Sequence, residues 1–286
     1  MNKILLYLLL FCNFWLLISC NKDKLKSPQA GFLIADTTLL KTTVNQGANS
    51  HKITDLWYYV NGQFKGVFPV GGVMPIVSTG NTEITLFAGI KNNGISATRI
   101  PYPLFKSITF NQNIEAGKTY TVTPEFEYNS SAFFYYCDDF TGVGSFFTSV
   151  GDSAVSNTKD FDVTKSFGGT GGSLFMSMSD AKPTARILQT TPYFLPSGGE
   201  TIYLELNYKC NQPFSVGVIG GNFTSQPEER TAITVNRSHE WNKIYIQLTG
   251  VVSAQPVYSD YKVFIHAKKL TTTPEIYIDN VKLIYL

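Results

Sequence analysis

From Gly31 to the C-terminus no stretch of a dozen residues places apolar side chains at helical spacing. Instead, runs with a period of two, rich in Val, Ile, Thr, Tyr and Phe, recur between Gly, Asn and Pro breaks. A chain so patterned buries one face of each strand against another sheet, and the expected class is all-β. The 286 residues exceed what one compact sandwich needs, so two β-sandwich domains are expected. The break falls at Tyr128-Asn129-Ser130-Ser131, with domains over 31–127 and 132–286 and a linker at 128–131.

In the first domain Asn61-Gly62 separates two β-rich runs, and its need for positive φ at both positions predicts a type I′ hairpin. Residues 83–90 alternate Ile84, Leu86 and Ala88 against Glu83, Thr85 and Phe87 until Asn92-Asn93-Gly94 stops the strand. Further strands are expected over 105–114 and 120–128. About a hundred residues with this spacing suit an immunoglobulin-like sandwich. Three segments, Ile53-Thr54-Asp55-Leu56-Trp57-Tyr58-Tyr59-Val60-Asn61-Gly62-Gln63, Gly89-Ile90-Lys91-Asn92-Asn93-Gly94-Ile95 and Arg99-Ile100-Pro101-Tyr102-Pro103, resemble a domain of Bacteroidetes-type lipoproteins. That resemblance implies no particular activity.

In the second domain one-sided apolar runs recur at 173–178, 203–210, 241–248 and 261–267. The ending Glu275-Ile276-Tyr277-Ile278-Asp279-Asn280-Val281-Lys282-Leu283 resembles the last strand of galactose-binding-like, carbohydrate-binding-module-type jelly rolls. Trp241-Asn242-Lys243-Ile244-Tyr245-Ile246-Gln247-Leu248 is similar to another of their strands, and 133–140, carrying Asp138-Asp139, to their first. Ile278 and Val281 are three apart, so a bulge at Asp279-Asn280 is needed to turn both inward.

The N-terminus carries Lys3 and an apolar run over 4–18, shorter than the about 20 residues of a membrane-spanning helix. Leu17-Ile18-Ser19-Cys20 resembles the lipobox of bacterial lipoproteins. The resemblance implies cleavage after residue 19, acylation of Cys20, and a polar tether from the lipid anchor to residue 30. Asn21 after the cysteine implies the outer membrane by the same likeness, and Asn21-Lys22-Asp23-Lys24 is similar to a surface-export signal. A net charge of +2 with scattered basic residues excludes nucleic acid as a partner.

No nucleophile elbow, zinc motif or phosphate loop occurs, so no enzyme is expected. His51, His239 and His266 read as surface imidazoles, Glu228-Glu229 as solvated acids, and Gly168-Gly169-Thr170-Gly171-Gly172 as a flexible loop. In the related jelly rolls, acids on the first and last strands hold a structural calcium, which implies Asp138, Asp139 and Asp279 as ligands; water-facing acids at strand ends are the alternative. Trp241, Trp57 and Tyr58 are the candidate ligand-binding rings, since aromatic faces stack on sugars; as edge aromatics they would instead cover the sandwich. Cys137 and Cys210 fit either a disulfide or two buried thiols. The expected function is non-catalytic binding of glycan or a cell-surface ligand, with the alternative a scaffold subunit binding protein partners in an envelope complex such as a secretion or gliding apparatus.

Overall fold

The structure, a computed structural model, describes residues 30–142, 144–150, 158–160, 162–169, 171–222, 225–254 and 260–286. The signal run, Cys20 and most of the tether lie outside the described residues.

The first sandwich contains β1 (Gly31–Ile34), β2 (Leu39–Lys41), β3 (Asp55–Val60), β4 (Gln63–Pro69), β5 (Val73–Ile76), β6 (Gly80–Lys91), β7 (Arg99–Pro101), β8 (Ile108–Ile114), β9 (Thr119–Thr121) and β10 (Glu125–Glu127). One sheet runs β4-β3-β6-β7, with β8 also paired to β6; opposite it lie β5-β1-β9 and β10-β2. Asn61 (φ 49°) and Gly62 (φ 74°) both adopt the left-handed conformation that the hairpin requires. The strand expected over 120–128 is two, β9 pairing β1 and β10 pairing β2, because Pro124 between them has no N–H to continue a ladder.

The second sandwich is a jelly roll made of β11 (Phe133–Asp138), β12 (Phe147–Ser149), β13 (Thr158–Asp160), β14 (Ser173–Ser177), β15 (Thr184–Gln189), β16 (Ile202–Cys210), β17 (Phe214–Asn222), β18 (Ser225–Val235), β19 (Ser238–Gln247), β20 (Asp260–Lys268) and β21 (Glu275–Tyr285). One sheet is ordered β13-β14-β21-β16-β19 with β11 also on β21, the other β12-β15-β20-β17-β18. Register slips where β16 meets β21 between Glu205 and Asn207, and Asn280 has φ 49°. That bulge turns both Ile278 and Val281 into the core.

Counting by twos places Cys137 on one apolar strand face with Phe133 and Tyr135, and a second bulge corrects this. The register of β11 shifts between Phe134 and Tyr136, so Tyr136 points into the core and Cys137 points away from it, its thiol 3.6 Å from the Asn45 carbonyl. Cys210 sits in the core, and both cysteines are free thiols. Burial pushes the Cys137 thiol up to about 11, which keeps it protonated and unreactive at neutral pH.

One face of the β21-β16-β19 sheet reads in sequence as its polar side, with Tyr203, Glu205, Lys243, Tyr245 and Lys282, yet all five are buried. The first sandwich covers it. Tyr203, Tyr245 and Ile284 belong to the same apolar cluster as Leu56, Tyr102 and Phe105. At the centre, Glu205 accepts hydrogen bonds from Tyr102 (2.8 Å) and Tyr128 (3.0 Å) and lies 3.0 Å from the Lys243 ammonium. Lys282 donates to the Tyr128 hydroxyl at 3.2 Å and to the Ala48 carbonyl. Backbone joins the halves as well: Asn93 N donates to Tyr245 O (2.9 Å) and Gln247 N to Asn93 Oδ1 (2.8 Å).

Burial alone would raise the Glu205 carboxyl, but the charges of Lys243 and Lys282 and the Tyr102 hydrogen bond hold it below the ordinary glutamate value. Burial, reinforced by Lys243, brings Lys282 down to about 8 despite Glu205. Replacing Glu205 with Gln strands two buried cations, so urea unfolding should show a loss of about 3–5 kcal/mol; a loss below about 1 kcal/mol would contradict the central role of this carboxylate. The folded value of Lys282 lies below its unfolded value of 10.5, so the unfolded chain holds the extra proton between the two. Stability contributed by this group should therefore rise as pH increases from about 8 toward 10, at up to about 1.4 kcal/mol per unit. Denaturation of wild type and Lys282→Met across that range checks it, because the variant should lack the rise.

Candidate functional site

In β3 the side chains of Leu56, Tyr58 and Val60 turn into the core, so Trp57 and Tyr59 face out. This corrects the expectation for Tyr58, which is completely buried and meets Phe68 edge to face. The hairpin lays β4 beside β3, opposing Phe64 to Tyr59 and Val67 to Trp57, while β6 on the other side opposes Phe87 to Trp57 and Thr85 to Tyr59. The outer face thus gathers four rings. Trp57 and Phe64 are 5.6 Å apart, Tyr59 and Phe64 5.2 Å, Tyr59 and Phe87 5.4 Å, with interplanar angles of 31°, 54° and 58°. Phe64 is 50% exposed, a large apolar side chain kept in water.

Hydroxyl and amide groups border the rings. Thr85 and Thr109 share a hydrogen bond of 2.9 Å, and Gln63, Lys65 and Asn111 are exposed alongside. Beyond Phe87 a recess of about 520 Å³ opens between Pro101, Pro103, Lys106, Ser107 and Asn129. A Cβ on Gly89 would stand 3.1 Å from the Trp57 ring and 2.9 Å from the Asp55 carbonyl, so the indole lies in space that only glycine leaves free. The Trp57 Nε1–H is buried and makes no hydrogen bond within the protein.

The same face continues along β6 from Phe87 through Gly89 to Lys91, about 13 Å at strand spacing. There it meets the seam between the sandwiches, a cleft of about 100 Å³ lined by Lys52, Thr54, Lys91, Tyr208, Asn242 and Lys243. Lys52 donates to Asn242 Oδ1, and Asn242 Nδ2 donates to the Tyr208 hydroxyl at 2.9 Å. Arg99, opposite Lys91 in β7, is paired with the buried Asp55. The three sequence segments 53–63, 89–95 and 99–103 therefore converge on one continuous surface.

Trp241 does not join the rings on β3. It is half-buried and packs edge to face on Phe167, with centroids 5.9 Å apart. Asp138, Asp139 and Asp279 do not form a calcium cage either, because backbone N–H groups take up their oxygens. Asp138 accepts from Phe140 N (2.9 Å) and Phe146 N (3.0 Å), Asp139 from Thr141 N (3.1 Å), and Asp279 from Phe167 N (2.8 Å) and Asn280 N (2.6 Å). Burial, with the charges of Asp139 and Asp138 added, raises Asp279 to about 7. Among the described residues no group of three or more His, Cys, Asp or Glu side chains is placed to hold a metal ion.

Two histidines differ from the surface reading. His51 is half-buried with Nδ1 unpaired, and burial lowers it; burial and the Arg186 charge likewise lower His266. Glu228 and Glu229 are adjacent on β18 and engage Arg230 and Arg186 respectively. They do not converge as a catalytic pair. On the free sheet of the jelly roll a groove of about 410 Å³ runs between Leu188, Pro192, Ile219, Pro227 and Lys262. Its neighbour Phe264 is buried with the Arg186 guanidinium 4.9 Å above it, so that ring is not presented for stacking.

No protein-family model matches the chain, and no curated protein matches it in sequence. Among solved structures it is similar to a family 30 carbohydrate-binding module, with 14% identity over 54% of this chain and 99% of that one at a TM-score of 0.41. It is also similar to a xylan-binding domain of Paenibacillus barcinonensis (9% identity, 55% and 97%, TM-score 0.40) and to a family 11 carbohydrate-binding module of a Clostridium thermocellum cellulase (17%, 55% and 95%, TM-score 0.38). At such scores these likenesses carry no argument about site or ligand, which rest on this chain's own residues.

Proposed function

We propose that this is a non-catalytic binding protein of the cell envelope, tethered at the outer membrane by a lipid on Cys20, that captures glycan on the outer face of β4-β3-β6. The observation that carries it is the group of four partly exposed rings, Trp57, Tyr59, Phe64 and Phe87, bordered by hydroxyl and amide side chains. A pyranose has an apolar face that stacks on a ring and an equatorial rim of hydroxyls that needs hydrogen-bond partners, and this face offers both within one strand spacing. A protein interface would require a larger apolar core with a polar rim; here polar side chains stand between and beside the rings.

Affinity electrophoresis or calorimetry on a polysaccharide panel tests the reading. Retardation by at least one glycan is expected, weakened about tenfold or more by Tyr59→Ala or Phe64→Ala, each removing a stacking ring worth roughly 1–1.5 kcal/mol beyond its buried area. Tyr59 and Phe64 lie outside the core, so both variants should keep the wild-type melting temperature within a few degrees. Undiminished binding by both variants would move the site elsewhere, and a stable co-purifying protein with no glycan bound would favour the scaffold alternative. For the anchor, Cys20→Ser should release the protein from membranes in unprocessed or slowly processed form; normal processing with full retention would contradict lipidation.

A further inference from the structure

We propose that the cleft between the two sandwiches is an oxyanion site, and that the glycan taken by the aromatic face is an acidic one whose carboxylate or sulfate group enters this cleft. The inference rests on the glycan reading above and names its ligand class. Three lysines reach the cleft from three elements: Lys52 from the segment before β3, Lys91 from β6 and Lys243 from β19. Their counter-charges are few. Lys243 faces Glu205, which Lys282 also neutralises from behind; Lys52 is held by a neutral amide; and among the described residues neither Lys52 nor Lys91 has a carboxylate at ion-pair distance. Asp55, the acid nearest in sequence, is committed to Arg99 and to the Thr54 hydroxyl.

The lysines therefore crowd one another. Burial and the charge of Lys91 both act against the proton on Lys52, and the Lys243 side chain is 2% exposed, with the Glu205 contact as its ion pair and no well-aligned hydrogen bond. A cleft of about 100 Å³ holds an oxyanion group but not a whole sugar ring. It also offers the Tyr208 hydroxyl, which accepts from Asn242 and keeps its own proton to donate, and the second N–H of the Asn242 amide. An anion there would relieve the repulsion and add the counter-charge that Lys52 and Lys91 lack. Because Lys91 is on the same face of β6 as Phe87, a chain lying on the rings would run toward the cleft and present a substituent to it.

The test compares acidic and neutral forms of one backbone. Binding of polygalacturonate is measured against its fully methyl-esterified form, and dextran sulfate against dextran, for the purified protein, for Lys52→Gln/Lys91→Gln, and for Tyr59→Ala. The acidic member of one pair should bind at least about tenfold tighter than its neutral member, as expected for charge-assisted hydrogen bonds, and the advantage should shrink in high salt. The lysine variant should erase that advantage while keeping the neutral affinity, and Tyr59→Ala should weaken both members. The pair that shows the preference tells carboxylate from sulfate. Equal binding of acidic and neutral forms, lost in Tyr59→Ala, would overturn the oxyanion site and leave the aromatic reading standing. If none of the four polymers binds, the aromatic face is judged on the wider panel, and melting in sodium sulfate against sodium chloride at equal ionic strength decides the cleft. Sulfate stabilisation greater in the wild type than in the lysine variant upholds the oxyanion site; equal stabilisation of the two, the general effect of an excluded salt, overturns it.

Discussion

The buried Glu205 carboxylate is the constraint around which the molecule is arranged. A lone carboxylate in that position is prohibitively costly to desolvate, and it is tolerated because Lys243, Lys282, Tyr102 and Tyr128 converge on it from four segments. Two of those segments belong to each sandwich, so the network forms only when both halves are folded and docked. Tyr102 also packs on Tyr203 and Tyr245 at 5.0 and 4.7 Å, joining the polar centre to the apolar cluster around it. What would otherwise be two sandwiches on a string is one body with a shared core. Charge pairing of this kind often adds no more net stability than an apolar replacement would, but sliding the sheets would strand buried charges, which disfavours other docking geometries.

That geometry decides where ligand can be met. The jelly roll turns one sheet inward to the first sandwich, which leaves its other sheet and the outer face of β4-β3-β6 for solvent. Phe264 on the free sheet is shielded beneath the Arg186 guanidinium, whereas Phe64 and its neighbours are left bare. Docking also creates the lysine-lined cleft, for Lys52 and Lys91 come from one sandwich and Lys243 and Asn242 from the other. The ring face and the cleft lie on one side of the protein because β6 runs from the first to the second.

Two sequence expectations failed for one reason, a local break in alternation. A bulge between Phe134 and Tyr136 reverses Cys137, so counting by twos from Phe133 put its side chain on the wrong face. Pro124 divides what reads as one strand into two that pair in different sheets. Tyr58 and Trp57 are alike in composition, but the alternation of Leu56, Tyr58 and Val60 turns Tyr58 inward and leaves Trp57 outward. Asp138, Asp139 and Asp279 are close enough for charge to matter, yet their oxygens serve as turn and bulge acceptors, a role short acidic side chains adopt wherever backbone N–H groups are left over.

The sequence by itself determined the sheet content, the type I′ hairpin at Asn61-Gly62 and the bulge at Asp279-Asn280. Each follows from dihedral preference and a two-residue period, which are local properties. Only the tertiary structure decided that Glu205, Lys243 and Lys282 are buried, and that Lys52, Lys91 and Lys243 share a cleft. A charged residue alternating with apolar ones looks the same whether its face meets water or another domain. The partners that make its burial tolerable lie about 40 to 230 residues away along the chain, where no local pattern can register them.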